Sequence, residues 1–465
     1  MIYKNLSLNL KNKYLILPLI LAGLILAFEP VIALLIMLLT LLFVNLRKLS
    51  LEKHDFLFRL ITVSLFIRIL FFVITVFSIS LHYSTGWQKH PVFHKVIGHT
   101  TQLFRDLQRE IENGERLDGY LRGDYGNASI KDVITYEEGK TRGFFLHFGV
   151  YTQGFLNFIL GRSILNLFIY SIAGLWMILL VYLVAKEVFC ENVAKVSSII
   201  VAFMPSFIIW SVINIRTSMT MILILLIAYF ILRFADNNHI KYIILIGISA
   251  AAINLFKFKL FLPLCLSSVL ALFFGLKINL KRKLFIIFIF LIFVLSLFIV
   301  RPHILNKLTL RMEDMAMVQR AYVQEGGTTY KIYDEYIYRE PEPKIPIFRF
   351  IKALPKGIFY FMLAPFPWRI THTLRLYSYP QIVLWYLILL FAPIGLLTAL
   401  RYRFKYAGLV IVFLAPFTSI LALSLGNEGI AARHRDLISP FIIVFASVAL
   451  CNLFGYLKNY KTQDY

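Results

Sequence analysis

The chain has 465 residues, of which 59% are hydrophobic and only 16% charged, and its formal net charge is +23. A soluble protein carries roughly a quarter charged residues; here apolar runs of about 18 residues or more recur along the whole length, which excludes a soluble globular enzyme. The basic residues are scattered among loops rather than clustered on one face, so the positive-inside rule explains them before nucleic acid does, and no nucleic-acid partner is expected.

In chain order, spans are expected at about 14–27, 31–46, 58–81, 165–186, 195–213, 216–233, 241–256, 259–275, 283–300, 379–399, 407–424 and 438–456. The leading MIYKNLSLNLKNKY runs into a long apolar stretch with no small-residue cleavage site, so no cleaved signal is expected. The first two spans are separated only by Phe28-Glu29-Pro30, which reads as a short hairpin turn or as the kink of one helix. Arg47, Lys48, Lys53, Lys186, Lys195, Lys241, the run Lys277 to Lys283, Arg401, Arg403 and Lys405 all fall on one side of this arrangement. If that side is cytoplasmic, both termini are inside the cytoplasmic (inner) membrane. The fold class is therefore an all-α polytopic membrane protein of about 12 transmembrane helices, with two large outer-face loops carrying amphipathic helices.

Five regions follow: N-terminal spans at 1–81, a first outer loop at 82–163, a central bundle at 164–300, a second outer loop at 301–378, and C-terminal spans at 379–465. In the first outer loop, Leu103, Phe104, Leu107 and Ile111 recur at helical spacing, opposite Arg105, Asp106, Arg109 and Glu110. That pattern predicts an amphipathic surface helix over 99–114. The second outer loop holds IFRFIKALPKGIFYFMLAPFPWRI (347–370), whose PFPW predicts a helix ended by a rigid turn. Before it, Tyr330, Tyr333, Tyr336 and Tyr338 stand beside Asp334, Glu335 and Glu340, either as a saccharide-stacking wall or as interfacial packing. Cys190, Cys265 and Cys451 lie too far apart to suggest a disulfide framework or a metal spacing.

Arg216, Lys257, Lys259, Arg433, His434 and Arg435 all approach the bilayer from the outer side. Long cations at helix ends commonly snorkel to headgroups. Convergence of several on one face instead fits an anion site, since guanidinium pairs bind phosphate oxygens bidentately. Asp436 would orient one of the arginines.

GVYTQGFLNFILGRSILNLFIYSIAGLWMILLVYLVAKEVF (149–189) resembles the early spans of bacterial GT-C-type membrane glycosyltransferases. MPSFIIWSVINIRTSMTMILILLIAYFILRF (204–234) is similar to their proline–serine span followed by a basic residue and a further span. LPKGIFYFMLAPFPW (354–368) and GNEGIAARHRDLISPFIIVFASVAL (426–450) resemble late segments of mannosyltransferase-like relatives in surface-polysaccharide assembly. The resemblance covers roughly 145–455. It implies transfer of a sugar from a polyprenyl-phosphate donor to a glycan or lipid acceptor, among membrane lipids and without a cofactor. It also implies an acidic base in the first outer loop and cations on the departing lipid phosphate, a role that falls to Arg216, Lys257, Arg433 and Arg435.

The chain departs from that family where the base is expected. Between residues 82 and 105 there is no Asp or Glu, and His90, His94 and His99 occupy the region. The catalytic candidates are therefore Asp106, whose alternative role is the solvated face of its helix, and His94, whose ordinary pKa near 6.5 suits a base. Glu110, Asp118 and Asp124 are further possibilities. No second ligand cluster accompanies the histidines, so no metal is expected. Three functions fit: a glycosyltransferase, a polysaccharide polymerase using the same kind of donor, and a non-catalytic subunit that binds or transports a lipid-linked glycan.

Overall fold

A computed structural model of the chain describes residues 39–40, 55–85, 114–126, 148–161, 168–213, 215–276, 313, 315–324, 328–339, 347–369 and 375–456. The spans expected at 14–27, 31–46 (Leu39 and Thr40 apart) and 283–300 lie outside these residues, as does the surface helix at 99–114 except for Gly114. The helices are α1 (Asp55–Thr85), α2 (Phe148–Leu160), α3 (Phe168–Val188), α4 (Glu191–Phe203), α5 (Pro205–Ile213), α6 (Ile215–Asn237), α7 (Ile240–Gly275), α8 (Glu335–Arg339), α9 (Ile347–Leu363), α10 (Arg375–Ser424), α11 (Glu428–Arg435) and α12 (Ser439–Leu453). Further helical turns run through 114–122 and 315–324. Among the described residues there is no strand, only an isolated bridge between Thr329 and Asn427.

Four of these helices are long and apolar enough to cross a bilayer, or six if each of two bent pairs is one span. α4 and α5 meet at 58°, α11 and α12 at 66°. The first bend was not expected: 195–213 reads as one span, but Pro205 has no N–H to continue α4 and instead starts α5. α7 and α10 carry non-helical backbone at Lys257 (φ −146°, ψ 76°) and Arg403 (φ −136°, ψ 46°). Each is thus two helices joined at a cation, between the spans expected at 241–256 and 259–275 and at 379–399 and 407–424. An unbroken helix of α10's length would run to about 75 Å, more than twice a bilayer core.

The chain forms two compact units, Met1–Leu179 with Ser198–Ile222, and Leu180–Ser197 with Leu223–Tyr465. In the first, helical residues 114–122 lie on α2: a side chain at Gly154 would meet Leu117 at 2.5 Å. Arg122 reaches the last carbonyls of α2, at Asn157 and Phe158, while Nε pairs with Asp118 at 2.7 Å. Arg68 of α1 is fully buried beside Gly174 and Ser211, and donates to Ser64.

In the second unit, α10 packs against α7, α9 and α12. Gly395 lets α12 approach closely, and Phe413 meets Phe441 edge-on at 6.2 Å. Arg233 pairs with Glu187 at 2.9 Å. The end of α6 is held at the break in α10: Lys405 donates to the Ala235 carbonyl at 2.8 Å and Tyr406 to Asp236 at 2.7 Å.

Candidate functional site

The mouth of the last span is built by residues 426–437, all in the second unit. Asn427 caps α11, its Oδ1 accepting from the N–H groups of Gly429 and Ile430 at 2.9 and 3.2 Å. The cap is fixed from outside. Tyr330 N–H donates to the Gly426 carbonyl at 2.8 Å and Glu428 N–H to the Thr328 carbonyl at 2.9 Å. Gly426 permits this closeness, because a Cβ there would meet the Gln319 carbonyl at 2.7 Å.

α11 then presents two different sides. Glu428 and Arg435 are seven residues apart, hence on one face, and both turn toward the end of α9. That end is the rigid turn expected from PFPW: α9 stops at Leu363, Ala364–Pro365 is cis, and Pro367–Arg369 forms a 3-10 turn. Glu428, almost wholly buried, accepts from Arg369 Nη1 at 2.9 Å and from Phe366 N–H at 3.4 Å. Burial pushes its carboxyl above the usual carboxylate range, and Arg369 opposes that shift.

Arg435 corrects the expected phosphate-binding set. It is fully buried, donates through Nη1 to the carbonyls of Met362 (2.9 Å) and Ala364, and lies over the Trp385 ring at 4.5 Å. Its Nη1 serves the carbonyls at the end of α9, with Trp385 Nε1 also donating to Met362. It is a scaffold residue. Burial pulls its pKa down to about 10, so it stays charged at neutral pH, and the buried Asp436 carboxylate supports that charge.

The other side of α11 carries Arg433 and His434. His434 Nδ1 contacts the Ile430 carbonyl at 2.9 Å, and burial with the charges of Lys257 and Arg433 holds the ring well below the ordinary histidine range. Lys257, at the break in α7, and Arg433 thus act on a common neutral imidazole. The charges of two of the expected cations are thus both felt at His434. Of Arg216 the backbone lies in the first turn of α6, while its side chain, that of Lys259, and Asp106 and His94 lie outside the described residues. Asp118 is described and pairs with Arg122.

The tyrosine wall is packing where it is described. Tyr330 stacks on Tyr360 at 4.5 Å, Tyr333 donates to the Leu423 carbonyl at 2.8 Å, and the Tyr338 hydroxyl accepts from the N–H groups of Ile332 and Tyr333. Tyr336 lies under Arg349. Next to this packed layer, α9, the PFPW turn and α10 enclose a groove of about 560 Å³. Phe359, Leu363, Phe366, Tyr386, Leu389 and Leu390 line it, with Arg369 and Trp368 among the lining residues. Sequence reading passed over Glu428 and Arg369; the signal lay in Glu428, a lone acid at a capped helix start.

Residues 148–305 match the family model of the dolichyl-phosphate-mannose-protein mannosyltransferases. The resemblance to GT-C-type membrane glycosyltransferases holds over that stretch. No curated protein and no solved structure matches the chain. The mannosyltransferase-like stretch contains α2 to α7, and so includes Lys257, while α9 to α12 lie beyond it. A multi-pass membrane glycosyltransferase of GT-C type is the activity the family implies.

Proposed function

We propose that this chain moves a sugar from a polyprenyl-phosphate donor to a glycan or lipid acceptor at the outer face of the cytoplasmic membrane, in envelope polysaccharide or glycolipid assembly. The mannosyltransferase match over 148–305 carries the reading. The charges of Lys257 and Arg433, both felt at His434, support it, because the departing group is a lipid phosphate that needs cations. In the reaction, the bond between the sugar's anomeric carbon and the phosphate oxygen breaks, and its electrons leave with the phosphate. An acceptor hydroxyl bonds to that carbon and gives its proton to a base, for which Asp106 and His94 are the candidates. Lys257 and Arg433 are the candidates for the phosphate, and Arg435 is not. We keep twelve spans with both termini inside as the proposed topology, which needs turns where the backbone breaks at Lys257 and Arg403.

The test is release of free polyprenyl phosphate from polyprenyl-phosphate sugars by the purified protein in lipid. Release should fall at least about tenfold in Lys257→Ala and in Arg433→Ala, the loss expected for one charged hydrogen bond. Binding without release, the same in every variant, overturns the reading. That outcome would favour a non-catalytic subunit, which the absence of Asp and Glu from 82–105 also suits. A polymerase would share the donor chemistry and differ in the size of its product.

A further inference from the structure

We propose that the first compact unit holds a resident small monovalent anion, a halide such as chloride, at the buried Arg68 between α1, α3 and α5. The site does not rest on the transferase reading, whose candidates Lys257 and Arg433 belong to the second unit.

Arg68 lies more than three turns into the apolar run that begins at Phe56, about 18 Å along the helix and so at hydrocarbon depth. A guanidinium is kept at that depth only where something answers its charge. Its own helix does not supply this, because the acid of α1 is Asp55, about 20 Å back along the axis. Among the described residues of this unit the other acids are Glu115, Asp118 and Asp124, all in the segment at 114–126, and Asp118 pairs with Arg122. α5 and the stretch 168–179 of α3, which pack around the guanidinium, hold no Asp or Glu.

The donors that remain have the form of an anion site. Nη1 donates to the Ser64 hydroxyl and, at 3.3 Å, to the Ser64 carbonyl. Nε and Nη2 have no partner among the described residues, and together they are the parallel donors along one edge of the guanidinium. Gly174 keeps that edge clear: a Cβ there would come within 2.9 Å of Nε and 2.6 Å of the Ser211 Cβ. Hydroxyls stand close by. Ser64 accepts from Nη1 and so keeps its own proton to give. Ser171, one turn before Gly174, reaches the Ser211 carbonyl only at 3.5 Å, while Ser211 gives its proton to the Ile208 carbonyl at 2.7 Å.

Burial sets the size of the occupant. Arg68, Ser64, Ser171 and Ser211 are all wholly buried, so a lipid headgroup or a ligand with a tail does not reach them from outside. A single-atom anion suits an enclosed place, accepts N–H and O–H donors from any direction, and carries the one negative charge that the guanidinium needs.

The test is equilibrium dialysis of the full-length protein in detergent against radioactive chloride. Thermal unfolding is read alongside at constant ionic strength, with chloride replaced by bromide, acetate or gluconate. The parent protein should retain chloride in a ratio of one to each chain, and bromide should displace it. Chloride and bromide should each raise the unfolding temperature by about 2 °C or more over gluconate, with saturation. Arg68→Met, which removes the donors and keeps a linear side chain, should retain at least about tenfold less chloride and unfold alike in every salt. If that protein does not fold, Gly174→Ala, which sets a methyl group beside Nε, should show the same loss. A parent protein that retains no chloride overturns the proposal, as does retention unchanged in the variants. Acetate that stabilises more than chloride would make the occupant a carboxylate and overturn the halide. None of these readouts uses turnover or a polyprenyl phosphate, so failure of the transferase reading and failure of this one are separate results.

Discussion

Arg369 and Glu428, 59 residues apart in the chain, are joined at 2.9 Å, and the carboxylate is almost wholly buried while the guanidinium is half exposed. The asymmetry decides which partner depends on the other. Removing Arg369 strands a buried charge, whereas removing both charges strands nothing. Arg369→Gln should cost about 2 kcal/mol, the low end of the range for such truncations because solvent screens the exposed arginine. Arg369→Gln/Glu428→Gln should recover most of it. The sign with pH follows from burial, which raises the Glu428 pKa. A carboxyl raised in the folded state contributes stability below its ordinary pKa near 4.3 and loses it as pH rises through the folded value. Arg369→Gln should therefore gain on the parent protein as the buffer goes from about pH 7.5 to about 5.5. Thermal unfolding in detergent reads this, and a gap that does not narrow on acidification counts against it.

The two arginines of α11 should separate cleanly. Arg435 Nη1 holds the carbonyls of Met362 and Ala364, so Arg435→Ala, which leaves both without that donor, should lower stability by about 1–3 kcal/mol. Arg433→Ala, at a half-buried position, should cost less stability than that and lower polyprenyl-phosphate release instead. Equal effects of both on unfolding temperature would show that the two faces of α11 are not distinct.

These residues also show what was readable beforehand. The breaks at Lys257 and Arg403 were legible, because a cation between two apolar runs marks where chain leaves lipid. The end of α9 at PFPW was legible from proline's missing donor. Arg433 and Arg435 were not separable, because residues 425–437 fall as a loop between the spans expected at 407–424 and 438–456; two residues apart on a helix, they point about 200° apart. The Arg369–Glu428 pair could not be read at all. Nothing local links positions so distant, and only the bridge from Thr329 to Asn427 and the turn after Leu363 bring them together.

His434 gives a second pH signature of opposite sign. Burial and the cations Lys257 and Arg433 depress its pKa, so the folded state resists its protonation. Its contribution is intact above the ordinary histidine value of about 6.5 and is lost as pH falls below it. The parent protein should lose more unfolding temperature between about pH 7.5 and 5.5 than His434→Gln does. Parallel losses would mean that the ring takes a proton freely and that Lys257 and Arg433 do not act on it.

Gly395 tests the packing that carries the groove. A Cβ there would lie 1.6 Å from the Phe445 carbonyl oxygen and 3.0 Å from the Ala449 nitrogen, both backbone atoms that cannot turn aside. α10 and α12 touch through this glycine, as small residues allow in membrane bundles. Gly395→Ala must push the helices apart, at about 1–3 kcal/mol for overpacking. Gly408 lies in the second half of α10, past the break at Arg403, with nothing within 4 Å of an added Cβ, so Gly408→Ala should be neutral or gain up to about 1 kcal/mol from helix propensity. α10 also carries Trp385 and Tyr386, which donate to the last carbonyls of α9. Displacing it should therefore lower the unfolding temperature in Gly395→Ala and leave it intact in Gly408→Ala. Thermal unfolding of the two variants side by side decides the point; matching behaviour would mean that the helices do not meet at Gly395.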